Sequence, residues 1–256
     1  MKKLALLTLF TIFTLSAFAT AIDTAFKRAT VIDSLKQKLD KEANDSLKSA
    51  IYADIAKQYL SYDTISNKKN KLYYQNQALN YTMLALHSYS RYNDSTGLFA
   101  SFANLARVYR SQRKYSQAKW FILQANTLAR NKNDQPAIVS TLTELAGIKM
   151  DIKDYALANR DLDEALKISA NNHYALAEAL VQQDYALLYS HLKKYDKEAK
   201  AMKRHDFILD SIKKAEEGKL VAKLNAQNAA QRKKKVSLIS YRKNSRANLA
   251  KRIASI

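Results

Sequence analysis

Between residues 99 and 208 the apolar positions of the chain recur at a spacing of 40. Leu105 returns as Leu145 and Tyr185, Ala106 as Ala146 and Ala186, Tyr115 as Tyr155 and Tyr195, and Leu128 as Ile168 and Ile208. Within one period Phe102, Leu105, Ala106 and Tyr109 fall at i, i+3, i+4 and i+7, which is one face of a helix. Tyr115 then opens a second apolar face through Ala118, Ile122, Ala125 and Leu128. The intervening "RSQRKY" is short enough to return the chain antiparallel to itself. The pattern therefore predicts an all-α solenoid of stacked antiparallel helix pairs, because one hairpin alone leaves its apolar face bare.

The alternation of small and large residues gives the packing. Ala106 and Ala118 let two helices approach closely, and Tyr115 and Ile122 fill the space beside them. The next unit repeats this as Leu145, Ala146, Tyr155, Ala158, Leu162 and Ala165. In the third, Tyr185, Ala186, Tyr189 and Tyr195 keep the pattern, while Glu198, Met202 and His205 interrupt the second helix. One period earlier, Ala78 and Ala85 match Ala118 and Ala125, and "YADIAKQYLSY" supplies Ile55, Ala56 and Tyr59. Between those two helices lies an insertion, "DTISNKKNKL", readable as a surface loop or as extra helical turns. Val31, Ile32, Leu35 and Leu39 predict a leading helix that caps the open end of the stack.

Composition fits this picture. Three glycines and one proline in 256 residues leave few breaks in the helices. Sixteen tyrosines against one tryptophan suit half-buried positions between helices, with the ring packed and the hydroxyl near water. Without cysteine there is no disulfide, thiol chemistry or lipid anchor on cysteine. Lys2 and Lys3, the apolar run Leu4–Phe18 and the small residues Ala17, Ala19 and Ala21 read as an export signal, so a periplasmic or secreted protein is expected. The expected organisation is a signal over 1–21, a capping helix over 22–45, about four hairpins over 46–211, a charged helix over 212–235 and a flexible basic tail over 236–256.

The net charge of +20 is concentrated at the end of the chain, where residues 212–256 hold 13 Lys and Arg against Glu216 and Glu217. Such a tail, 232–256 above all, suits an anionic membrane or envelope surface. Nucleic acid is disfavoured, since export conflicts with it and Tyr241 is the only aromatic residue after Phe207 to stack on bases. A solvated tail and the remnant of a longer protein are the other readings of this segment. Enzyme chemistry has no visible basis. His87, His173, His191 and His205 lack metal-ligand spacing, and neither a phosphate-binding glycine loop nor a nucleophile elbow is present, so no cofactor or metal is expected.

The succession Leu-Ala, Tyr, Tyr, Ala, Ala along two helices resembles the tetratricopeptide repeat over residues 99–211 and partly before them. The usual period of that family is about 34 residues. The spacing here implies longer helices, longer loops, or both. The resemblance also implies that Arg113, Lys153 and Lys193 stand where a glycine is common, with some loss of backbone freedom. It implies a binding groove lined by the first helix of each unit. Mapped onto this chain, the groove positions are Ala53 and Lys57, then Ala103, Asn104, Arg107 and Arg110, then Thr143, Gly147 and Met150, then Gln183 and Leu187. Lys57, Arg107 and Arg110 could grip a carboxylate or phosphate of a protein or peptide ligand. An ordinary solvated helix face is the alternative reading of the same residues.

The opening "VIDSLKQKLDKEANDSLKSAIYADIAKQYL" and the exit Asp210-Ser211-Ile212 followed by "KKAEEGKLVAKLNAQNAAQRKKK" resemble the extracytoplasmic repeat region of bacterial membrane sensor kinases and regulators. Those families continue into a membrane span. Here "VSLISY" is too short for the roughly 20 residues a span needs. Two functions are thus expected: an exported scaffold binding protein or peptide through its groove, or the sensory input fragment of a membrane signalling protein.

Overall fold

The computed structural model describes the backbone of residues 28–254, with side chains up to residue 228 and at residue 231. The export signal expected over 1–21 lies outside the described residues. Among the latter the chain is all helix, without a strand: α1 (28–41), α2 (Asp45–Tyr59), a 3-10 turn (Leu60–Thr64), α3 (Lys68–Arg91), α4 (Ser95–Ser111), α5 (Tyr115–Asn131), α6 (Gln135–Asp151), α7 (Tyr155–Asn171), α8 (Ala175–His191) and α9 (Tyr195–Ala254). Two compact units result, Met1–Asn172 and His173–Ile256.

The helix lengths explain the period. From α4 to α8 every helix has 17 residues, and each is joined to the next by a three-residue turn such as Gln112-Arg113-Lys114. Helix plus turn repeats every 20 residues, so the longer repeat resides in the helices and not in the loops. The middle residue of each turn has a left-handed backbone: Asn93, Arg113, Asn133, Lys153, His173 and Lys193 have φ between 53° and 65°. That conformation closes the preceding helix. Lys114 N–H reaches back to the Tyr109 carbonyl (2.9 Å) and Arg113 N–H to the Arg110 carbonyl (2.8 Å), and equivalent pairs of bonds close the turns at 93, 133, 153 and 193. The long side chains at 113, 153 and 193 therefore do more than reduce backbone freedom. They sit where an L-residue is strained. Asn44, Asn67, Asp94, Asp134 and Asp154 cap the helices that follow them by accepting backbone N–H bonds.

In the first unit, α2/α3, α4/α5 and α6/α7 are antiparallel hairpins, with α3 against α4 and α5 against α6. Leu105, Ala106, Ala118, Ala125, Leu145, Ala146, Ala158 and Ala165 are buried, as their recurrence predicts. One apolar cluster joins Ile32, Ile51, Ile55, Tyr59, Leu60 and Tyr62 to Val108, and the next joins Ala106, Ala118 and Ile122 to Leu145 and Ile148. Each hairpin thus shares its core with its successor. Tyr109 and Tyr115 pack half-buried against the second cluster. The insertion becomes the 3-10 turn plus added turns on α3, which has 24 residues. On α1, Ile32 is buried with Leu35 and Leu39 against it, but Val31 points away and is exposed. It is one residue, and 100° of helix rotation, out of register with the buried stripe.

In the second unit, α8 pairs with the beginning of α9. Tyr185 and Ala186 are buried and Tyr189 half-buried, while Tyr195 is exposed. Tyr115 and Tyr155 are half-buried at the same register. Among the described residues no helix follows α9 to cover Tyr195. From Ile212 onward the chain was expected as a helix and then a loose tail, yet α9 runs unbroken for 60 residues. No proline or glycine after Gly218 stops it.

Candidate functional site

The outward face of α4 carries Thr96, Ala100, Ala103 and Arg107, spaced so that they align along the helix. One period on, α6 presents Pro136, Ser140, Thr143 and Gly147 in the same register. Small side chains make both faces smooth. At their C-terminal ends lies a cavity of about 330 Å³, lined by Tyr62, Asp63, Arg107, Arg110, Ser111, Glu144 and Asp151.

Three elements assemble it. The 3-10 turn supplies Tyr62 and Asp63, α4 supplies Arg107, Arg110 and Ser111, and α6 supplies Glu144 and Asp151. Tyr62 is buried and donates its hydroxyl to the Arg107 carbonyl (3.3 Å), which fixes the turn against α4. Burial pushes the Tyr62 hydroxyl pKa above its ordinary value. Arg107 donates to Asp63 at 3.2 Å and lies over the Tyr62 ring, and Lys71 approaches the same carboxylate at 3.6 Å. Arg110 donates from Nε to Asp151 Oδ2 at 2.6 Å and has Nη1 3.5 Å from Glu144 Oε1. Burial works against its charge, but the hydrogen bond it donates to Asp151 and the nearby Glu144 carboxylate outweigh this and hold its pKa above the ordinary arginine value. Gly147 makes room for it, since a Cβ there would lie 2.5 Å from Arg110 Nη1.

Of the groove residues expected from the sequence, Arg107 and Arg110 come together in this cavity. Lys57 is exposed on α2 and Asn104 half-buried on α4, and neither lines the cavity. Gln183 and Leu187 are exposed on α8, in the second unit, aligned with Leu176 and Leu180. Met150 belongs to the core and not to the groove. It shares a register slot with half-buried Arg110, at the edge of the outward face, where an apolar side chain turns inward.

From the sequence, the arginines read either as able to grip an anion or as part of a solvated helix face. Instead each already faces a carboxylate of its own chain, and the acids missed by the sequence reading are Asp63, Glu144 and Asp151. A signal for them existed: Asp151 stands 41 residues after Arg110, almost one repeat, as expected for partners on equivalent helices of adjacent hairpins. A parallel link, Arg130 to Glu164 at 2.7 Å, joins α5 to α7. Of the histidines, His205 pairs through Nδ1 with the Ala179 carbonyl (2.9 Å), and His173 occupies a left-handed turn position.

No family model matches the chain, and no curated protein matches it in sequence. Solved structures do match it in fold. BtubC (BKLC) from P. vanneervenii aligns with a TM-score of 0.61 at 15% identity, over 75% of this chain and 76% of that one. A signal transduction ATPase with numerous domains from Pyrococcus horikoshii, which carries a tetratricopeptide repeat sensor, aligns at 0.61 and 18% identity, over 74% of this chain and 28% of that one. A Rap protein complexed with Competence and Sporulation Factor aligns at 0.59 and 18% identity, over 72% of this chain and 50% of that one. The chain spans half the length of the Rap protein and a little over a quarter of the ATPase. Helix order, hairpin pairing and these likenesses together show one thing: the chain has the all-α tetratricopeptide-like solenoid fold.

Proposed function

We propose that the chain is a non-catalytic scaffold that binds an extended protein or peptide segment along the outward faces of α2, α4 and α6. The observation that carries this reading is the register of small side chains. Ala100 and Ala103 on α4 and Ser140 and Thr143 on α6 leave a path close to the helix backbones, ending at the charged cavity of Asp63, Arg107, Arg110, Glu144 and Asp151. Rigid hairpins hold these faces in place before a ligand arrives, so little ordering entropy opposes binding. The likeness to a Rap protein complexed with Competence and Sporulation Factor supports the same use of the fold. Arg110 is engaged by two carboxylates, whereas Arg107 is half-exposed and paired with one. Ligand selection thus falls to Arg107 and Asp63, which can trade their mutual pair for bonds to a ligand's carboxylate and ammonium or amide groups. Lys2, Lys3 and the run Leu4–Phe18 support placing this scaffold outside the cytoplasm.

The test is site-specific photocrosslinking in intact cells with the reactive residue at Ala100 or at Lys119, which is exposed on α5. Adducts are expected from Ala100 and not from Lys119. Equal yields from both would end the groove reading.

One observation favours a second reading, the input region of a membrane signalling protein. Helix α9 leaves its hairpin through Asp210-Ser211-Ile212 and continues unbroken to Ala254, so a displacement at the hairpin would be carried along one continuous helix. Under that reading, ligand binding at the outward face of α4 changes the distance between spin labels placed at Lys119 and Asn225 of the same chain. A distance unaffected by ligand would remove it.

A further inference from the structure

We propose that α9, beyond its contact with α8, is a docking element for an anionic lipid surface. This goes beyond the groove reading and does not depend on it. Helix α8 has 17 residues and covers only the beginning of α9, where Ala201 and Ile208 are buried and Ile212 is half-buried. From Lys213 to Asn228 every residue is exposed. A helix in water that buries no face is marginally stable on its own, because helices in proteins draw their stability from packing.

The chemistry of the bare stretch says what covers it. Leu220, Val221 and Leu224 stand 67%, 57% and 54% exposed. At 100° per residue they occupy one arc of the helix, and Lys219 and Lys223 border that arc on one side. Apolar side chains edged by lysines suit the boundary between acyl chains and headgroups, where the leucines enter the apolar layer and the ammonium groups reach up to phosphate. The acids Glu216 and Glu217 lie before this patch, and Lys213 approaches Glu217 at 3.9 Å. After Glu217 the sequence contains no further acid and eleven Lys and Arg. That sign of charge opposes side-by-side pairing with a second copy and favours an anionic surface. Among the described residues no helix is long and apolar enough to cross a membrane, so the element lies on the surface and does not span it. Nucleic acid shares the phosphate chemistry, but it has no use for the exposed leucines and finds only Tyr241 for stacking.

Flotation of the full chain with lipid vesicles tests this. Binding is expected to vesicles containing phosphatidylglycerol, with little to pure phosphatidylcholine, and is expected to fall as salt rises from about 0.05 to 0.5 M, where screening shortens the reach of the charges. Lys219→Gln with Lys223→Gln should weaken binding about thirty-fold, from about five-fold per lysine. Leu220→Gln with Leu224→Gln should weaken it on the order of a hundred-fold through lost apolar burial. These side chains are exposed, so the circular dichroism of both variants should match the parent. The apolar run Leu4–Phe18 would give binding that ignores salt and both substitutions, and equal binding to neutral vesicles would therefore overturn the assignment. So would retention of DNA undiminished by the leucine changes, or a sedimentation equilibrium showing a dimer that the leucine changes dissolve.

Discussion

Arg110 and Asp151 lie 41 residues apart in sequence and 2.6 Å apart in space, joining α4 of one hairpin to α6 of the next. Gly147 is part of the same device, because its missing side chain is the space the guanidinium fills. Arg110→Ala should destabilise the fold by about 1–2 kcal/mol, less than a fully buried charged hydrogen bond because the pair is partly open to solvent. Gly147→Ala should produce a loss of similar size by displacing Arg110, and the double variant should lose little more than either alone. Urea unfolding of the three variants checks this. Additive losses would show that Gly147 and Arg110 act independently.

The burial of Leu105, Ala106, Leu145 and Ala146 could be read from the chain because a stripe at helical spacing, repeated at 40, leaves one way to bury itself. The state of Arg107 and Arg110 could not. A single helix shows the charge of its residues but not the acids on neighbouring helices, so both arginines read as available when Asp63, Glu144 and Asp151 already face them. Tyr195 failed for a related reason. Its position in the repeat equals that of Tyr115, but burial at that position depends on a following helix, which is a property of the stack and not of the unit. The left-handed turns were masked by residue type, since Arg113, Lys153 and Lys193 give no sign of a conformation usually marked by glycine.

Those turns carry a second prediction. Arg113, Lys153 and Lys193 have φ of 60°, 65° and 57°, and none has a side chain suited to that region. Replacing each by glycine removes the Cβ clash and should stabilise the fold by about 0.5–1 kcal/mol per site, after allowing for the greater freedom of glycine in the unfolded chain. As a control, Lys119→Gly in the exposed interior of α5 should destabilise by about 1 kcal/mol. Thermal unfolding should therefore rise for the turn variants and fall for the control. A fall in all four would show that the turn side chains contribute more than their backbone strain costs.

Lys149 on α6 and Asp161 on α7 form a buried ion pair in direct contact. Removing either partner leaves a charge in an apolar core, and Lys149→Ala or Asp161→Ala should each cost about 3–5 kcal/mol. Lys149→Met with Asp161→Leu removes both charges while keeping volume, and should recover most of that loss. Denaturant midpoints of the singles and the double decide the matter. A double variant as unstable as the singles would mean that the pair sets the geometry of the hairpin and not only its charge balance.

Alkaline unfolding follows from the tyrosines. Burial raises the pKa of Tyr59, Tyr62 and Tyr89 above the ordinary value of 10.0, and for Tyr59 the neighbouring Tyr73, Tyr81 and Tyr74 push in the same direction. The folded chain thus keeps protons that the unfolded chain releases near pH 10. By linkage, the stability these groups contribute is complete below that pH and declines as pH rises toward their folded values. Unfolding followed by circular dichroism should hold steady between about pH 8 and 9 and then weaken above 10. Tyr59→Phe removes the strongest of these groups, so its stability should decline less steeply above pH 10 even if it starts lower. Tyrosinate absorbance near 295 nm should then appear in two stages in the parent, the exposed rings first and the buried ones together with unfolding. A single smooth titration, complete before the helices melt, would show that the cluster around Tyr59 opens to water without unfolding.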